Sequence, residues 1–116
     1  MAENELQQYS IQFAIEIVSY YKWLQSEKQE FILSKQLLRS GTSIGANIHE
    51  ANYAVSRADF VSKMQIAMKE TAETEYWITV LTATGYYSSQ FDGMKSHLLS
   101  IKRMLISTLN TSKKDI

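Results

Sequence analysis

The residues with the most chemical potential form a polar row in the first half of the chain. Arg39, Ser43, Asn47 and Glu50 follow one another at spacings of four, four and three, which places them on one helix face. Two further acids, three residues apart, could meet this row from another helix. The sequence therefore predicts one structural polar cluster, which comprises Arg39, Ser43, Asn47, Glu50, Glu70 and Glu73. Buried charges persist when paired, so we expect a partly buried Arg39 that bonds to one of the last two acids. Ser43 and Asn47 are expected to bond across helices.

The same acids raise the question of a metal centre or an enzyme. Di-iron sites in helical bundles use Glu-x-x-His motifs on two helices, and the chain contains none. His49 precedes Glu50 directly, so their side chains lie on different faces, and His97 stands alone. Cysteine is absent, and Ser43 has no histidine base near it in sequence. We expect no metal, no cofactor and no enzymatic activity.

Two glycines interrupt the segment that carries the polar row. Gly41 and Gly45 would each cost roughly 1 kcal/mol relative to alanine inside a helix. A phosphate-binding loop would need a Gly-Lys-Ser/Thr ending after a strand, and neither is present. The Gly-x-x-x-Gly spacing instead favours the close approach of a neighbouring helix.

Helical periodicity extends over most of the chain. Its 116 residues include 4 glycines and no proline, which disfavours a turn-rich β fold and suits one domain. Apolar residues recur at helical spacing in four segments, about 5–26, 30–51, 57–84 and 89–109, followed by a polar tail over 110–116. Ser56 with Asp59 predicts the start of the third helix, and Gly85 predicts its end. Short connections favour an all-α, antiparallel up-down-up-down four-helix bundle over residues 1–116.

The first segment carries more apolar surface than one bundle can bury. Its core seam comprises Leu6, Tyr9, Phe13, Ile17, Tyr20 and Leu24. A second apolar stripe lies beside this seam, and exposed patches of that kind usually mark interfaces. Scattered surface residues are the alternative, which we consider weaker. We expect a homo-oligomer, whose interface candidates are Ile11, Ile15, Val18 and Tyr21.

Charge is balanced overall but unevenly distributed. Residues 1–30 carry five acids against two lysines, whereas the chain from Met94 onward carries five bases against one acid. Those bases could contact nucleic-acid phosphates, and they are Lys95, Lys102, Arg103, Lys113 and Lys114. The alternative is a solvated helix end. The sequence shows no secretory leader and no apolar run long enough to span a membrane, so we expect a cytoplasmic protein.

Several short motifs follow one another along the chain, at Gln36, Arg39, Ser43, Ile44, Asn47, Ile48, Glu50, Ser56, Asp59, Phe60, Glu70 and Glu73. Together they resemble the pattern of one known family, the four-helix-bundle proteins called 23S rRNA intervening-sequence proteins. Their order and spacing cover roughly residues 30–85. The chain departs from the pattern at Ala51, where many relatives have glycine, so helix 2 is not expected to end on a glycine.

The resemblance implies a non-enzymatic protein that forms a closed homo-oligomer, with a pentamer as the family's known arrangement. The family is similar to the accessory protein of diversity-generating retroelements, a basic barrel thought to engage nucleic acid and a reverse transcriptase. Two hypotheses follow. The first is an oligomeric scaffold that acts through protein partners, and the second is a nucleic-acid-binding accessory protein that uses the basic surface of helix 4.

Overall fold

The described part of the chain contains helices and no strands. The structure, a computed structural model, describes the backbone of residues 2–114 and the side chains of residues 5–112. In this part the elements are α1 (Ala2–Lys28), α2 (Leu33–Ala51), α3 (Arg57–Ala83), a 3-10 helix (Ser89–Phe91) and α4 (Gly93–Lys114). The prediction of an all-α fold with four helices is confirmed, and the assignment of one domain stays a prediction. No helix among these is long and apolar enough to cross a membrane.

The four helices pack around a common apolar core. α1 and α3 each pack mainly against α2 and α4, so the order around the bundle is α1, α2, α3, α4. Near the start of α1, Gln7 hydrogen-bonds to His49 and Asn52, at the end of α2. The bundle measures 47 × 21 × 20 Å. Fully buried core side chains come from all four helices and include Leu6, Phe13, Ile17, Leu24, Leu37, Ile44, Met64, Leu81, Ile101 and Leu105.

α1 and α2 approach each other closely at the two glycines. A Cβ added to Gly41 would lie 2.9 Å from two carbons of Ile17, which is closer than real Cβ contacts come. A Cβ on Gly45 would lie 3.2 Å from the hydroxyl of Ser10. The predicted close approach of a neighbouring helix is therefore confirmed, and α1 is that helix.

The core seam of α1 differs from the predicted one at a single position. Five of its six predicted residues are buried, but Tyr9 is 42% exposed and the adjacent Ser10 is buried in its place. Ser10 lies where α1 and α2 approach closely, since a Cβ added to Gly45 would lie 3.2 Å from its hydroxyl. Ser10 satisfies its hydroxyl by donating to the carbonyl of Gln7 at 2.7 Å. Hydrophobicity alone could not anticipate a buried serine.

α2 begins three residues later than predicted, at Leu33 instead of about Glu30. The Glu30 carboxylate acts as the cap, because it accepts hydrogen bonds from the backbone N–H groups of Ile32, Leu33 and Ser34 at 3.2, 3.0 and 2.6 Å. Burial raises the pKa of Glu30, but these hydrogen bonds outweigh that effect and hold the pKa below its usual value. A charged carboxylate thus satisfies the free donors at the start of α2.

The predicted ends of α3 are confirmed. The Ser56 hydroxyl accepts from the N–H of Asp59 at 3.0 Å, and the Asp59 carboxylate accepts from the N–H of Val55. At the other end Gly85 has a φ of 95°, which favours glycine, and Tyr86 donates its N–H to the carbonyl of Leu81. The turn places the Tyr86 carbonyl beside the buried Tyr20, whose hydroxyl donates a hydrogen bond to this carbonyl at 2.5 Å.

Tyr20 remains a hydrogen-bond donor over the whole physiological range. Burial, with a smaller contribution from the negative charge of Glu30, raises the pKa of Tyr20 to about 12. Its ring also packs against Phe91 of the 3-10 helix, with centroids 4.7 Å apart. Through these two contacts Tyr20 holds the connection between α3 and α4 against α1.

α4 differs from its predicted limits at both ends. It begins at Gly93, since Ser89–Phe91 forms a separate 3-10 turn, and it continues to Lys114. The predicted tail over 110–116 is helical up to 114, and residues 115 and 116 lie outside the described part. Leu109 and Ser112 are 9% and 8% exposed, so packing extends the helix beyond the predicted last apolar residue.

We expect Gly41→Ala to destabilise the protein although alanine is the better helix former. Crowding a packed core costs about 1–3 kcal/mol, and helix propensity returns about 1 kcal/mol. The expected net loss is about 1 kcal/mol in the free energy of unfolding, measured by urea denaturation at fixed protein concentration. Gly93→Ala is the matched control, since its added Cβ would meet only ordinary contacts at 3.5 Å or more. A Gly41→Ala variant more stable than the parent would contradict the close approach.

Candidate functional site

The strongest charged contacts in the polar cluster join α2 to α3. The Arg39 guanidinium donates through Nη1 to Glu70 Oε2 at 3.3 Å and through Nη2 to Glu73 Oε2. Trp77 Nε1 donates to the same Glu73 oxygen at 2.9 Å. Arg39 thus bonds to both acids that the sequence offered as alternatives. One guanidinium ties two successive acids of α3 to α2 and fixes the relative position of the helices.

This charged group lies nearer the surface than the sequence predicted. The Arg39 side chain is 50% exposed, whereas those of Glu70 and Glu73 are 19% and 34% exposed. The hydrogen bond from Arg39, followed by that from Trp77, holds the pKa of Glu73 below its usual value. Because solvent reaches the pair, its contribution to stability belongs to the range of exposed ion pairs, not buried ones.

The other predicted members of the cluster do not join it. Asn47 donates to the backbone carbonyl of Ser43 within α2, at 2.9 Å, so the predicted bonds across helices are wrong for this pair. Glu50 instead accepts from Lys63 of α3 at 3.0 Å. The predicted polar row does lie along α2, but the Arg39 side chain is too short to contact the residues at the far end of the row.

The buried hydrogen bond between α2 and α3 involves two residues that the sequence analysis missed. The hydroxyls of Thr74 and Ser40 lie within hydrogen-bond distance, at 2.9 Å, and both side chains are fully buried. Since Thr74 also donates its hydrogen to the backbone carbonyl of Glu70 at 2.7 Å, its oxygen can accept from Ser40. Ser40 lies next to Arg39 and Thr74 next to Glu73, so the buried pair runs alongside the charged contact. Polar residues at core positions of two helices could have indicated it, because buried hydroxyls need partners.

The polar side chains support structural roles more than chemistry. No group of three histidine, aspartate or glutamate side chains lies close enough to hold a metal ion in the part of the chain that the structure describes. The two histidines serve contacts between helices: His97 Nδ1 lies 2.6 Å from Glu16 Oε1, and His49 lies 2.9 Å from the amide of Gln7.

A shallow apolar groove runs along the outer side of α1 and α2, and we call it the α1/α2 groove. It has a volume of about 360 Å³ and is lined by Ser10, Ile11, Ala14, Ile15, Val18, Thr42, Gly45 and Ala46. Ile11 and Ile15 are 45% and 65% exposed. Three predicted interface candidates thus lie together in it. The fourth, Tyr21, is half-buried outside the lining, where its hydroxyl accepts from Gln25 at 2.8 Å.

The predicted basic residues of α4 fall on more than one surface. Lys102 lies 3.5 Å from Glu75 of α3, so an acid of the same chain already contacts it. Lys95 and Lys102 line a second groove of about 130 Å³ between α3 and α4, together with Leu98 and Leu99. Arg103 is exposed. The side chains of Lys113 and Lys114 lie outside the described residues.

We expect Arg39→Ala to lower the free energy of unfolding by no more than about 1 kcal/mol at pH 7, as for other exposed pairs. Because the pKa of Glu73 is lower in the folded state, its ion pair contributes fully to the free energy of unfolding at pH values above the usual glutamate range. This contribution is lost as pH falls through the lowered pKa. The difference between parent and variant should therefore shrink below about pH 4.5. Lys35→Ala, an exposed change on the same helix, is the control. Urea unfolding at several pH values measures both, and a difference that does not change with pH would contradict the pairing.

Comparisons with known proteins agree on one family. The family model described as 23S rRNA-intervening sequence protein matches residues 2–107. A crystal structure of a protein of unknown function from the S23 ribosomal protein family of Bacteroides thetaiotaomicron is similar, with a TM-score of 0.91 and 48% identity, over 95% of this chain and 99% of that one. No curated protein matches the sequence. The chain belongs to the 23S rRNA-intervening sequence protein family.

Proposed function

We propose that the protein is a non-enzymatic scaffold that assembles from copies of itself through the α1/α2 groove and acts through protein partners. The observation that carries this proposal is the exposure of Ile11 and Ile15 beside a floor of small residues. Burying an isoleucine side chain fully contributes about 1.5–3 kcal/mol. A contiguous apolar patch of this kind is typical of protein interfaces.

The groove is suited to a neighbouring chain more than to a small ligand. It is open along the bundle, and apolar side chains make up most of its lining. Ligand pockets usually enclose their ligand and present a few converging polar groups. In this groove the hydroxyl of Thr42 donates to the carbonyl of Leu38 at 2.7 Å, so its hydrogen is already used within α2.

The contacts between helices support an antiparallel up-down-up-down arrangement. The start of α1 meets the end of α2 through Gln7 and His49. Further along, Arg39 of α2 contacts Glu73 of α3, whereas Glu50 contacts Lys63, so position numbers fall on one helix as they rise on the other. We propose that such bundles assemble into a closed homo-oligomer. The resemblance to the family suggests five subunits.

Nucleic-acid binding on α4 is the alternative function, and we rank it second. Phosphate contacts require an excess of bases, but the chain carries 12 acids and 12 bases. Glu75 also lies close to Lys102, so its negative charge offsets the positive potential around the lysine. Binding through Lys95 and Arg103 would be weak, independent of sequence and reduced by salt.

The substitution Ile15→Glu tests the scaffold proposal. Ile15 is 65% exposed in the single chain, so glutamate there should leave the bundle folded. In an assembly the same carboxylate would be buried without a partner, which costs several kcal/mol. We expect light scattering to show a monomer at concentrations at which the parent is assembled, with an unchanged helical circular dichroism spectrum.

Val55→Glu is the matched control for this experiment. Val55 is 92% exposed, β-branched and located in the α2–α3 connection, away from the groove. Its variant should keep the assembly of the parent. An Ile15→Glu variant that assembles like the parent would remove the groove from the subunit contact.

A further inference from the structure

A third cavity lies at one end of the bundle, between α3, α4 and the connection that joins them. It has a volume of about 320 Å³ and is more enclosed than the α1/α2 groove. Three apolar residues line it, Ile78, Phe91 and Met94, together with four polar ones, Thr82, Tyr87, Asp92 and Lys95. We call it the α3–α4 cavity. Cavities that bind small molecules have volumes of about 300–1,000 Å³ and combine an apolar lining with a few polar groups.

We infer that the α3–α4 cavity binds a small zwitterion with an apolar side chain, which is the chemistry of a free apolar amino acid. The inference goes beyond the proposed scaffold function and does not depend on it. Four observations carry it: a wall that buried contacts hold in place, an unsatisfied hydroxyl, two unpaired opposite charges and an apolar floor.

The wall formed by the connection between α3 and α4 is fixed by contacts with α1. The Tyr20 hydroxyl donates to the carbonyl of Tyr86, directly before Tyr87 in the chain. The ring of Phe91 packs on Tyr20, with centroids 4.7 Å apart, and on Trp23, with centroids 5.4 Å apart. A site whose walls are held in place before the ligand arrives loses less conformational freedom on binding.

Thr82 carries a hydroxyl that the rest of the described chain leaves unsatisfied. The other three threonines of α3, Thr71, Thr74 and Thr79, donate to the carbonyl four residues earlier, at 2.8, 2.7 and 2.8 Å. The Thr82 Oγ1 atom is buried and has no hydrogen-bond partner among the described residues. Such orphaned polar atoms are uncommon and costly. Rotation about the Cα–Cβ bond can turn this hydroxyl into the cavity that Thr82 lines, where a polar group of a ligand can bond to it.

Two opposite charges at the start of α4 specify the charged end of the ligand. Asp92 and Lys95 are three residues apart, and Asp92 has helical backbone angles, with a φ of −57° and a ψ of −36°. Side chains at this spacing are neighbours, with Cβ atoms about 5–6 Å apart. Neither side chain pairs with another residue in the described part of the chain. An α-amino acid carries an ammonium group and a carboxylate on one carbon, so it can pair with Asp92 and Lys95 at the same time.

The apolar floor specifies the rest of the ligand. Ile78 and Met94 are each 2% exposed, and the ring of Phe91 closes the side towards α1. A charged ligand side chain would lose its hydration there without gaining a partner, whereas an aliphatic or aromatic one would leave water favourably.

A simple organic acid or an amine is the rival ligand. An acid could pair with Lys95, but its charge would then lie beside Asp92, and like charges in a binding site oppose association. An amine would have the same problem with Lys95. The zwitterion removes both conflicts with the two groups that are already in place.

Titration of L-leucine into the full chain, labelled with ¹³C at its methionine methyl groups, tests the inference by nuclear magnetic resonance. Met94 lines the cavity, whereas Met64 is fully buried in the core and serves as the internal reference. We expect the Met94 signal to shift with a dissociation constant of about 1 mM or below, as suits a ligand of this size. The Met64 signal should stay in place.

Two analogues divide the ligand into its charges. Isocaproate is L-leucine without the ammonium group, and isoamylamine is L-leucine without the carboxylate. Each should bind about 5-fold more weakly than L-leucine, because each loses one ion pair at an exposed position.

Variants assign each charge to its partner. Lys95→Met should raise the dissociation constant for L-leucine about 5-fold and should not weaken the binding of isoamylamine, which has no carboxylate. Asp92→Asn should weaken L-leucine but not isocaproate. Lys35→Met, at an exposed position on α2, is the matched control and should change neither. The Met64 signal verifies folding, and Lys95→Gln replaces Lys95→Met if that variant unfolds.

The contradicting outcomes are equally definite. A Met94 signal that does not move with ~10 mM L-leucine or L-phenylalanine would overturn the inference, because the cavity would then hold only water. Isocaproate or isoamylamine that binds as tightly as L-leucine would also overturn it, since one charge would then be enough. The oligomeric state enters none of these readouts, so the proposed scaffold function is tested separately.

Discussion

The close packing of α1 against α2 is the constraint on which most of this structure depends. Gly41 lies against Ile17, and Gly45 lies against Ser10, at distances that leave no room for a Cβ without movement. Helices that approach so closely leave only a shallow groove between them on the outside. The same glycines that build the core therefore also leave Ile11 and Ile15 uncovered beside a floor of small residues. Both the core packing and the proposed subunit interface therefore follow from the close packing of α1 against α2.

α2 and α3 are held together by polar contacts, some of which are buried and some of which lie at the surface. Ser40 and Thr74 form a buried hydrogen bond, and Arg39 with its acids lies next to it at the surface. Dispersion and apolar burial are tolerant of small shifts along a helix, whereas hydrogen bonds are not. We interpret these polar residues as setting the register of α2 against α3. This role accounts for carboxylates in a bundle without assigning chemistry to them.

Sequence reasoning succeeded where a pattern had one physical solution. The apolar rows of the four helices, the Ser56 cap and the Gly85 turn follow from local rules, and the structure contains them. It failed where tertiary contacts decided. The buried Ser10 follows from the close approach of α1 to α2 at Gly45, and the late start of α2 follows from the Glu30 carboxylate, which caps the helix that comes after it. In the candidate site, residue spacing identified the acids that bind Arg39. Spacing could not show how far the Arg39 side chain reaches along α2.

The central claim is that this bundle is completed by copies of itself. Sedimentation equilibrium of the unmodified protein at micromolar concentration tests it most directly. We predict a single assembled species whose mass is at least twice the 13.3 kDa of one chain, as the proposed closed homo-oligomer requires. A mass of 13.3 kDa throughout the micromolar range would contradict the claim, because it would show that the α1/α2 groove stays open in solution.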